Sequence, residues 1–248
     1  MDVLFLGPAG SGKTSLISSF SNWIKNTQDK SVSCINLDPG TDYLPYEADF
    51  DIRNFFTIES IMKEEKLGPN GALVRAIERM VEMEDRIKPE IEKVKAEFRL
   101  IDLPGQLEPF LFHSGEKIIN YFDAKRMLGI FLIPAEMFSP KELAIAELLS
   151  LIVRLKLEIP TINVLSKIDL CKNTEEIEGF LKSPKKLRKA LKEMEGGVEK
   201  DLIIITSKLV EKIVKEQRII KTSAKTGEGM NDLYDVCYEV FCSCGDLR

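Results

Sequence analysis

The sequence has a single histidine and a single tryptophan, and its five cysteines lack the paired CxxC spacing of a zinc site. Their odd number and low density argue against a disulfide framework and indicate a reducing compartment. No apolar run reaches the roughly 20 residues that a membrane-spanning helix needs, and no basic leader with a cleavage site precedes the first apolar run. These absences predict a cytoplasmic protein without a membrane anchor.

The charge balance is mildly acidic, with 35 Lys and Arg against 40 Asp and Glu and a net charge of -5. That sign argues against a protein that coats nucleic acid or an anionic membrane, so we expect no direct nucleic-acid binding and no membrane binding. A hydrophobic content of 44% in 248 residues suits one α/β domain with a large core. Glutamine is scarce, whereas Lys and Glu are abundant and interleaved, a composition that resembles that of hyperthermophile proteins.

Short runs that are apolar throughout alternate with stretches of helical spacing such as 141–156. Such runs are typical of parallel strands buried on both faces, because a strand with one wet face would alternate apolar and polar residues. The predicted strands are 3–6, 31–37, 98–103, 128–133, 161–165 and 218–221. We therefore predict an α/β fold in three layers (α/β/α), with helices on both faces of a mostly parallel central sheet.

A glycine-rich motif follows the first predicted strand directly, where residues 7–14 read GPAGSGKT and match the GxxxxGK[ST] pattern. In a turn from strand to helix, the glycines let backbone N–H groups point at phosphate oxygens beside the helix N-terminus. Lys13 is expected to reach the β- and γ-phosphates, and the Thr14 hydroxyl is expected to ligate Mg²⁺. The motif predicts a P-loop NTPase whose phosphate-binding residues are Gly10, Ser11, Gly12, Lys13, Thr14 and Ser15.

Two helix-rich, highly charged stretches exceed what a minimal nucleotide-binding domain needs, at about 57–97 and about 172–217. We interpret both as helical insertions, because apolar positions at helical spacing in the first stretch require a surface to pack on. No internal repeat or low-complexity linker marks a boundary. The prediction is therefore a single domain that spans residues 1–248.

The third predicted strand ends in the string DLPGQ. The carboxyl end of a parallel strand lies near the phosphate loop, so Asp102 has the position of a Walker B carboxylate that holds the Mg²⁺ shell. Gly105 is expected to bring its amide to the γ-phosphate. Gln106 is expected to position the attacking water.

A second carboxylate, Asp38, follows the second predicted strand at the same edge of the sheet. It is a candidate for orienting the attacking water or a Mg²⁺-bound water. An Asp before proline also forms turns, and that structural role stays open for Asp38.

Two further strings have the pattern of a guanine site: SKID at 166–169, which resembles NKxD with Ser166 in place of Asn, and TSAK at 222–225, which resembles the SAK loop. Asp169 can accept hydrogen bonds from guanine N1–H and N2–H₂, a pair of donors that adenine lacks. Lys167 can lay its aliphatic stem against the base. We predict GTP or GDP as the bound nucleotide, contacted by Ser166, Lys167, Asp169, Ser223 and Ala224. The loss of an Asn amide at Ser166 is expected to weaken the loop and the affinity.

The tripeptide Gly68-Pro69-Asn70 lies between the Asp38 loop and the DLPGQ strand. Alone it indicates only a turn. Together with the phosphate loop and the DLPGQ, SKID and TSAK strings, it resembles the GPN-loop GTPases, dimeric members of the SIMIBI class of P-loop proteins. The resemblance covers nearly the whole chain, and the composition points to an archaeal or thermophilic member.

The resemblance implies a homodimer in which the tripeptide Gly68, Pro69 and Asn70 reaches across the interface, so that Asn70 contacts the phosphates bound to the other subunit. Related dimeric ATPases carry a signature Lys after the first glycine of the phosphate loop, where this chain has Pro8. An Asn amide supplied in trans is the substitute that the resemblance offers. The expected catalytic residues are Asp102, Gln106, Asp38, Asn70 and Lys13.

The expected function is a Mg²⁺-dependent GTPase that acts as a switch or assembly factor. The eukaryotic relatives link the family to RNA polymerase assembly, so the resemblance implies RNA polymerase machinery as a protein partner, although no residue identifies it. A P-loop kinase acting on a small molecule or an RNA end is an alternative hypothesis, with a cationic lid available at 185–189. A GTP-binding scaffold with little turnover is a third. The guanine-reading pair argues against the kinase, and phosphate release without an acceptor separates the three.

Overall fold

The computed structural model describes residues 1–136, 139–193, 201–202, 204–205 and 219–243. Within them, one sheet has the strand order β3-β2-β4-β1-β5-β6-β7, and every neighbouring pair is parallel. The strands are β1 (Asp2–Leu6), β2 (Val32–Asn36), β3 (Phe50–Asp51), β4 (Phe98–Asp102), β5 (Met127–Pro134), β6 (Thr161–Ser166) and β7 (Ile220–Lys221). The helices are α1 (Lys13–Thr27), α2 (Ile58–Glu65), α3 (Pro69–Glu82), α4 (Glu84–Lys93), α5 (Leu107–Phe112), α6 (Gly115–Ile119), α7 (Pro140–Leu157), α8 (Thr174–Lys182), α9 (Pro184–Glu193) and α10 (Met230–Ser243).

The predicted fold class is confirmed, because all six predicted strands lie in this sheet and helices cover both of its faces. The apolar pattern does not predict β3. That strand has two residues, Phe50 and Asp51, and pairs with β2 at the edge of the sheet. Two residues are too few to form an apolar run, so the signal that finds central strands is missing there.

The residues of β1 alternate between two hydrophobic cores, as the period of two in a strand requires. Val3 and Phe5 pack in a core that α1 and α10 cover. Leu4 and Leu6 face the opposite core, to which α2 through α9 contribute buried side chains. Both faces of β1 are therefore dry, which explains its continuous apolar run.

The predicted insertion at 57–97 forms α2, α3 and α4, and the apolar faces of these helices contribute to the larger core. The second predicted insertion begins with α8 and α9, whereas its residues 194–200, 203 and 206–217 lie outside the described residues. The single-domain boundaries therefore stay a prediction. Within the part of the chain that the structure describes, no helix has the length and apolar character needed to cross a membrane.

The register of the sheet brings the predicted site residues to one edge. Phe5 pairs with Asp102 across β1 and β4, just before β1 ends in the phosphate loop. Pro134 pairs with Ser166 at the ends of β5 and β6. Because the strands are parallel, the loops that follow β1, β4 and β6 leave the sheet on the same side, where open α/β sheets bind ligands.

Candidate active site

The phosphate loop turns from the end of β1 into the first turn of α1. Gly10 and Gly12 have positive φ angles of 74° and 91°, which only glycine adopts without strain. The Lys13 ammonium lies inside the turn and donates hydrogen bonds to the carbonyl oxygens of Gly7, at 3.0 Å, and Pro8, at 3.3 Å. A buried cation at the N-terminus of a 15-residue helix is an arrangement that favours a bound anion.

Asp102 is fully buried at the end of β4, beside the phosphate loop. Burial raises the pKa of its carboxyl to about 6, and the neighbouring Thr14 and Tyr46 hydroxyls oppose that rise. The Tyr46 hydroxyl donates to Asp102 Oδ2 at 3.0 Å. Asp102 Oδ1 is buried and has no hydrogen-bond partner among the described residues. Burial also lowers the pKa of Lys13, which Asp102 and Asp38 counteract.

Asp38 joins the loop after β2 to the loop after β4. Its Oδ1 accepts a hydrogen bond from the Gly40 backbone N–H at 2.8 Å, and its Oδ2 accepts one from the Gly105 N–H at 3.0 Å. The turn role of Asp38 is thus observed. In this structure the Gly105 amide, which the sequence assigns to the γ-phosphate, donates to Asp38.

A cavity of about 570 Å³ extends beside the phosphate loop and α1. The Ser223 hydroxyl donates to Asp169 Oδ1 at 2.6 Å, and Ser223 Oγ accepts from the Thr226 N–H at 3.2 Å. These bonds hold one oxygen of Asp169 and leave the carboxylate at the cavity wall. The cavity lining includes Gly12, Ser15, Ser166, Lys167, Asp169 and Ala224.

Ser166 braces the phosphate loop, a role that no sequence motif predicts. Its buried hydroxyl donates to the carbonyl oxygen of Ser11 at 2.8 Å. The two residues are 155 positions apart, so no local pattern relates them. The Ser166 hydroxyl therefore braces the loop at the position where the lack of an Asn amide was expected to weaken it.

Comparisons with known proteins agree on one family. Residues 5–243 match the model of a family described as "Conserved hypothetical ATP binding protein". The chain is 33% identical to the GPN-loop GTPase PAB0955 of Pyrococcus abyssi over 100% of both chains. The chain belongs to the GPN-loop GTPases. The resemblance inferred from the motifs is thereby confirmed.

The structural comparison supports the same assignment. The solved structure of PAB0955, a GTPase in apo form, superposes with a TM-score of 0.87 and 31% identity over 98% of both chains. The chain is also 36% identical to GPN-loop GTPase 2 of Saccharomyces cerevisiae over 183 residues. That match covers 70% of this chain but 52% of the yeast protein, so the chain spans about half the length of that relative.

The tripeptide that names the family is on the surface of this GPN-loop GTPase. Gly68 is the N-cap of α3, Pro69 is its first residue and Asn70 its second, and all three are exposed. Proline suits the first helical position, because its missing N–H would be unpaired there anyway. Among the described residues that line the 570 Å³ cavity, none belongs to the tripeptide.

Gln106 is the N-cap of α5 and is exposed, and its side chain makes no capping hydrogen bond. The structure thus brings together the phosphate loop, Asp102, Asp38 and the two guanine strings at one edge. Gln106 lies next to Gly105 at that edge, whereas Asn70 lies in the first turn of α3, in the layer formed by α2 to α9.

The Ser166 brace leads to a first prediction. In a Ser166→Ala variant, the Ser11 carbonyl loses a buried donor, which costs about 1–3 kcal/mol of unfolding free energy. We also expect GDP affinity to fall, because the phosphate loop is less well held. Urea unfolding without nucleotide and calorimetric GDP binding measure the two effects. Unchanged values in both experiments would show that the hydrogen bond contributes nothing.

Proposed function

We propose that this GTPase binds GTP with Mg²⁺ at the carboxyl edge of its sheet and hydrolyses GTP as a homodimer. Its proposed role is that of a switch or assembly factor. The observation that carries the proposal is that the phosphate loop and Asp102 meet at one edge of the sheet, beside a 570 Å³ cavity whose lining includes Gly12 and Asp169. Phosphate release from GTP, measured together with the mass of the protein in solution, tests both halves. Phosphate release that continues under conditions where the protein has the mass of a monomer contradicts the dimeric mechanism.

The residues present fit a magnesium ion. Asp102 Oδ1 is a buried carboxylate oxygen without a partner, and the Thr14 hydroxyl lies against the same carboxylate. Magnesium usually takes one or two protein oxygens and completes its shell with substrate phosphates and water. This agrees with the finding that the described residues hold no cluster of three or more His, Cys, Asp or Glu ligands. When bound, Mg²⁺ neutralises charge on the β- and γ-phosphates.

The chain's own residues then divide the remaining work. Lys13 places its ammonium at the β- and γ-phosphates, because its Nζ already lies inside the loop. Gln106 holds the attacking water in line with the γ-phosphate. Asp38 holds the Gly105 amide, and release of that hydrogen bond frees the amide for the γ-phosphate. The Asp38–Gly105 hydrogen bond is thus formed when no γ-phosphate is bound and is broken when the Gly105 amide binds one.

In the proposed homodimer, Asn70 supplies a further donor to the phosphates. Asn70 is exposed at the start of α3 and stands outside its own nucleotide cavity, so its amide is available to a second copy. Donated to phosphate oxygens across an interface, the amide stabilises charge that develops during in-line attack. RNA polymerase machinery as a further protein partner stays a prediction from family resemblance.

Nucleotide choice rests on Asp169. The family model is described with ATP, whereas the relatives are named GTPases. We favour GTP, because a carboxylate held by Ser223 at the cavity wall accepts the two guanine N–H donors that adenine does not offer. The cationic residues at 185–189 lie on α9, which packs on α7 and α8 rather than over the cavity. The kinase hypothesis therefore gains no support from this helix.

Asp169→Asn provides the second prediction. An amide presents one acceptor and one donor, which suits xanthine, so GTP affinity should fall at least about 100-fold while XTP affinity rises. Competition of both nucleotides against a fluorescent GDP analogue measures the change. Affinity for inorganic phosphate at the loop serves as the control and should stay constant. Parental GTP affinity in the variant would remove Asp169 from the base site.

A further inference from the structure

The segment between β2 and β3 is tied down at several points, and we name residues 41–49 the strap. The Ser18 hydroxyl on α1 donates to the carbonyl oxygen of Pro45 at 2.8 Å. The residue after Pro45 is Tyr46, and its hydroxyl donates to Asp102 Oδ2 at 3.0 Å across a separation of 56 residues. Two further hydrogen bonds hold the ends of the strap. The Arg53 guanidinium donates to the Thr41 carbonyl oxygen at 3.0 Å, and the Cys34 N–H donates to the Asp49 carboxylate at 2.8 Å. The strap is therefore held along its length.

Neighbouring strap residues touch two different parts of the nucleotide site. Pro45 and Ser18 both line the 570 Å³ cavity. Tyr46 packs its ring against the core shared by α1 and α10, and its hydroxyl reaches the carboxylate at the end of β4. A single peptide unit thus connects the cavity wall with the carboxylate that suits magnesium.

The Tyr46 hydroxyl also decides which oxygen of Asp102 is available. It occupies Oδ2, whereas Oδ1 is buried without a partner among the described residues. A carboxylate that is free to rotate loses conformational entropy when it binds a cation. With Oδ2 held by the Tyr46 hydroxyl, the carboxylate presents Oδ1 in one direction, which is how partners of metal ligands raise metal affinity.

We propose that Tyr46 is a positioning residue for magnesium, which fixes the Asp102 carboxylate so that Oδ1 faces the cation. The inference rests on the proposed magnesium site and goes beyond it by assigning a role to the strap. Nothing in the motif pattern marks Tyr46, since it belongs neither to the phosphate loop nor to the DLPGQ string.

The test uses Tyr46→Phe, which removes the hydroxyl and keeps the ring in the core. The matched control is Tyr43→Phe, because Tyr43 lies in the same strap and is 76% exposed. Release of N-methylanthraniloyl-GDP is followed by fluorescence while Mg²⁺ is titrated, so the readout does not depend on hydrolysis. We expect Tyr46→Phe to raise the Mg²⁺ concentration at half-effect about 10- to 100-fold, with unchanged GDP affinity in EDTA. Tyr43→Phe should match the parent protein.

The outcomes separate this inference from the proposed function. If Mg²⁺ slows nucleotide release equally well in the parent and in Tyr46→Phe, the positioning role is wrong and the magnesium site stands. If Mg²⁺ has no effect on the parent protein, both the magnesium site and the role of Tyr46 are overturned. If Tyr46→Phe lowers GDP affinity in EDTA as much as in Mg²⁺, the residue shapes the cavity instead, and the positioning role is again rejected.

Discussion

Replacing Lys13 with alanine is expected to lower kcat for GTP hydrolysis by at least about 100-fold, the loss associated with one preorganised charge donor. The Lys13 Nζ lies in the turn of the phosphate loop, 3.0 Å from the Gly7 carbonyl oxygen, at the N-terminus of α1. No other residue of the loop carries a positive charge. Nucleotide affinity should fall as well, since hydrogen bonds to charged groups contribute about 1.5–3 kcal/mol each.

The fold should survive this change. Burial lowers the pKa of Lys13, which means that the folded protein holds the ammonium at a desolvation cost. Loss of that group removes the cost together with the hydrogen bonds to the loop. Phosphate release and circular dichroism are the measurements, and Lys30→Ala is the control, because Lys30 pairs with Glu97 away from the phosphate loop. Parental turnover in the Lys13→Ala protein would place the active site elsewhere.

The central architecture could be predicted because its signals are local. The phosphate loop is an unbroken string between a buried strand and a helix, and β4 is a short run, apolar except for Arg99, that ends in a carboxylate. Parallel pairing then requires Asp102 to lie beside the end of β1, as its register with Phe5 shows. A short range of sequence was sufficient to place these groups.

Contacts between distant loops could not be predicted in the same way. Asp38 and Gly105 are 67 residues apart, and Tyr46 is 56 residues from Asp102. Their hydrogen bonds depend on how two loops leave neighbouring strands, and that geometry has no periodic signature in the chain. The role of the Tyr46 hydroxyl could not be predicted for a further reason, because packing of the ring alone explains a tyrosine in a loop.

The Asn70→Ala variant is expected to lower kcat by roughly 10- to 1000-fold while GTP affinity changes much less. This pattern follows if the amide acts on the transition state rather than on bound GTP. Asn70→Asp is the informative companion, because it keeps the shape of the side chain and a carboxylate suits the first turn of α3. If the residue only shapes its turn, Asn70→Asp should turn over GTP like the parent protein. A donor to phosphate predicts a loss at least as large as that of Asn70→Ala.

A mixing experiment decides whether the amide acts in trans. Asn70→Ala protein is combined with Lys13→Ala protein, and each is expected to have strongly reduced activity alone. In a heterodimer, the Asn70→Ala chain contributes an intact phosphate loop and the Lys13→Ala chain contributes an intact Asn70, so one complete site is rebuilt. Activity should therefore return if one site can work by itself, with subunit exchange confirmed independently by native mass spectrometry. Confirmed heterodimers without recovered phosphate release would show that Asn70 acts within its own chain or only shapes its turn, and the trans mechanism would then be wrong.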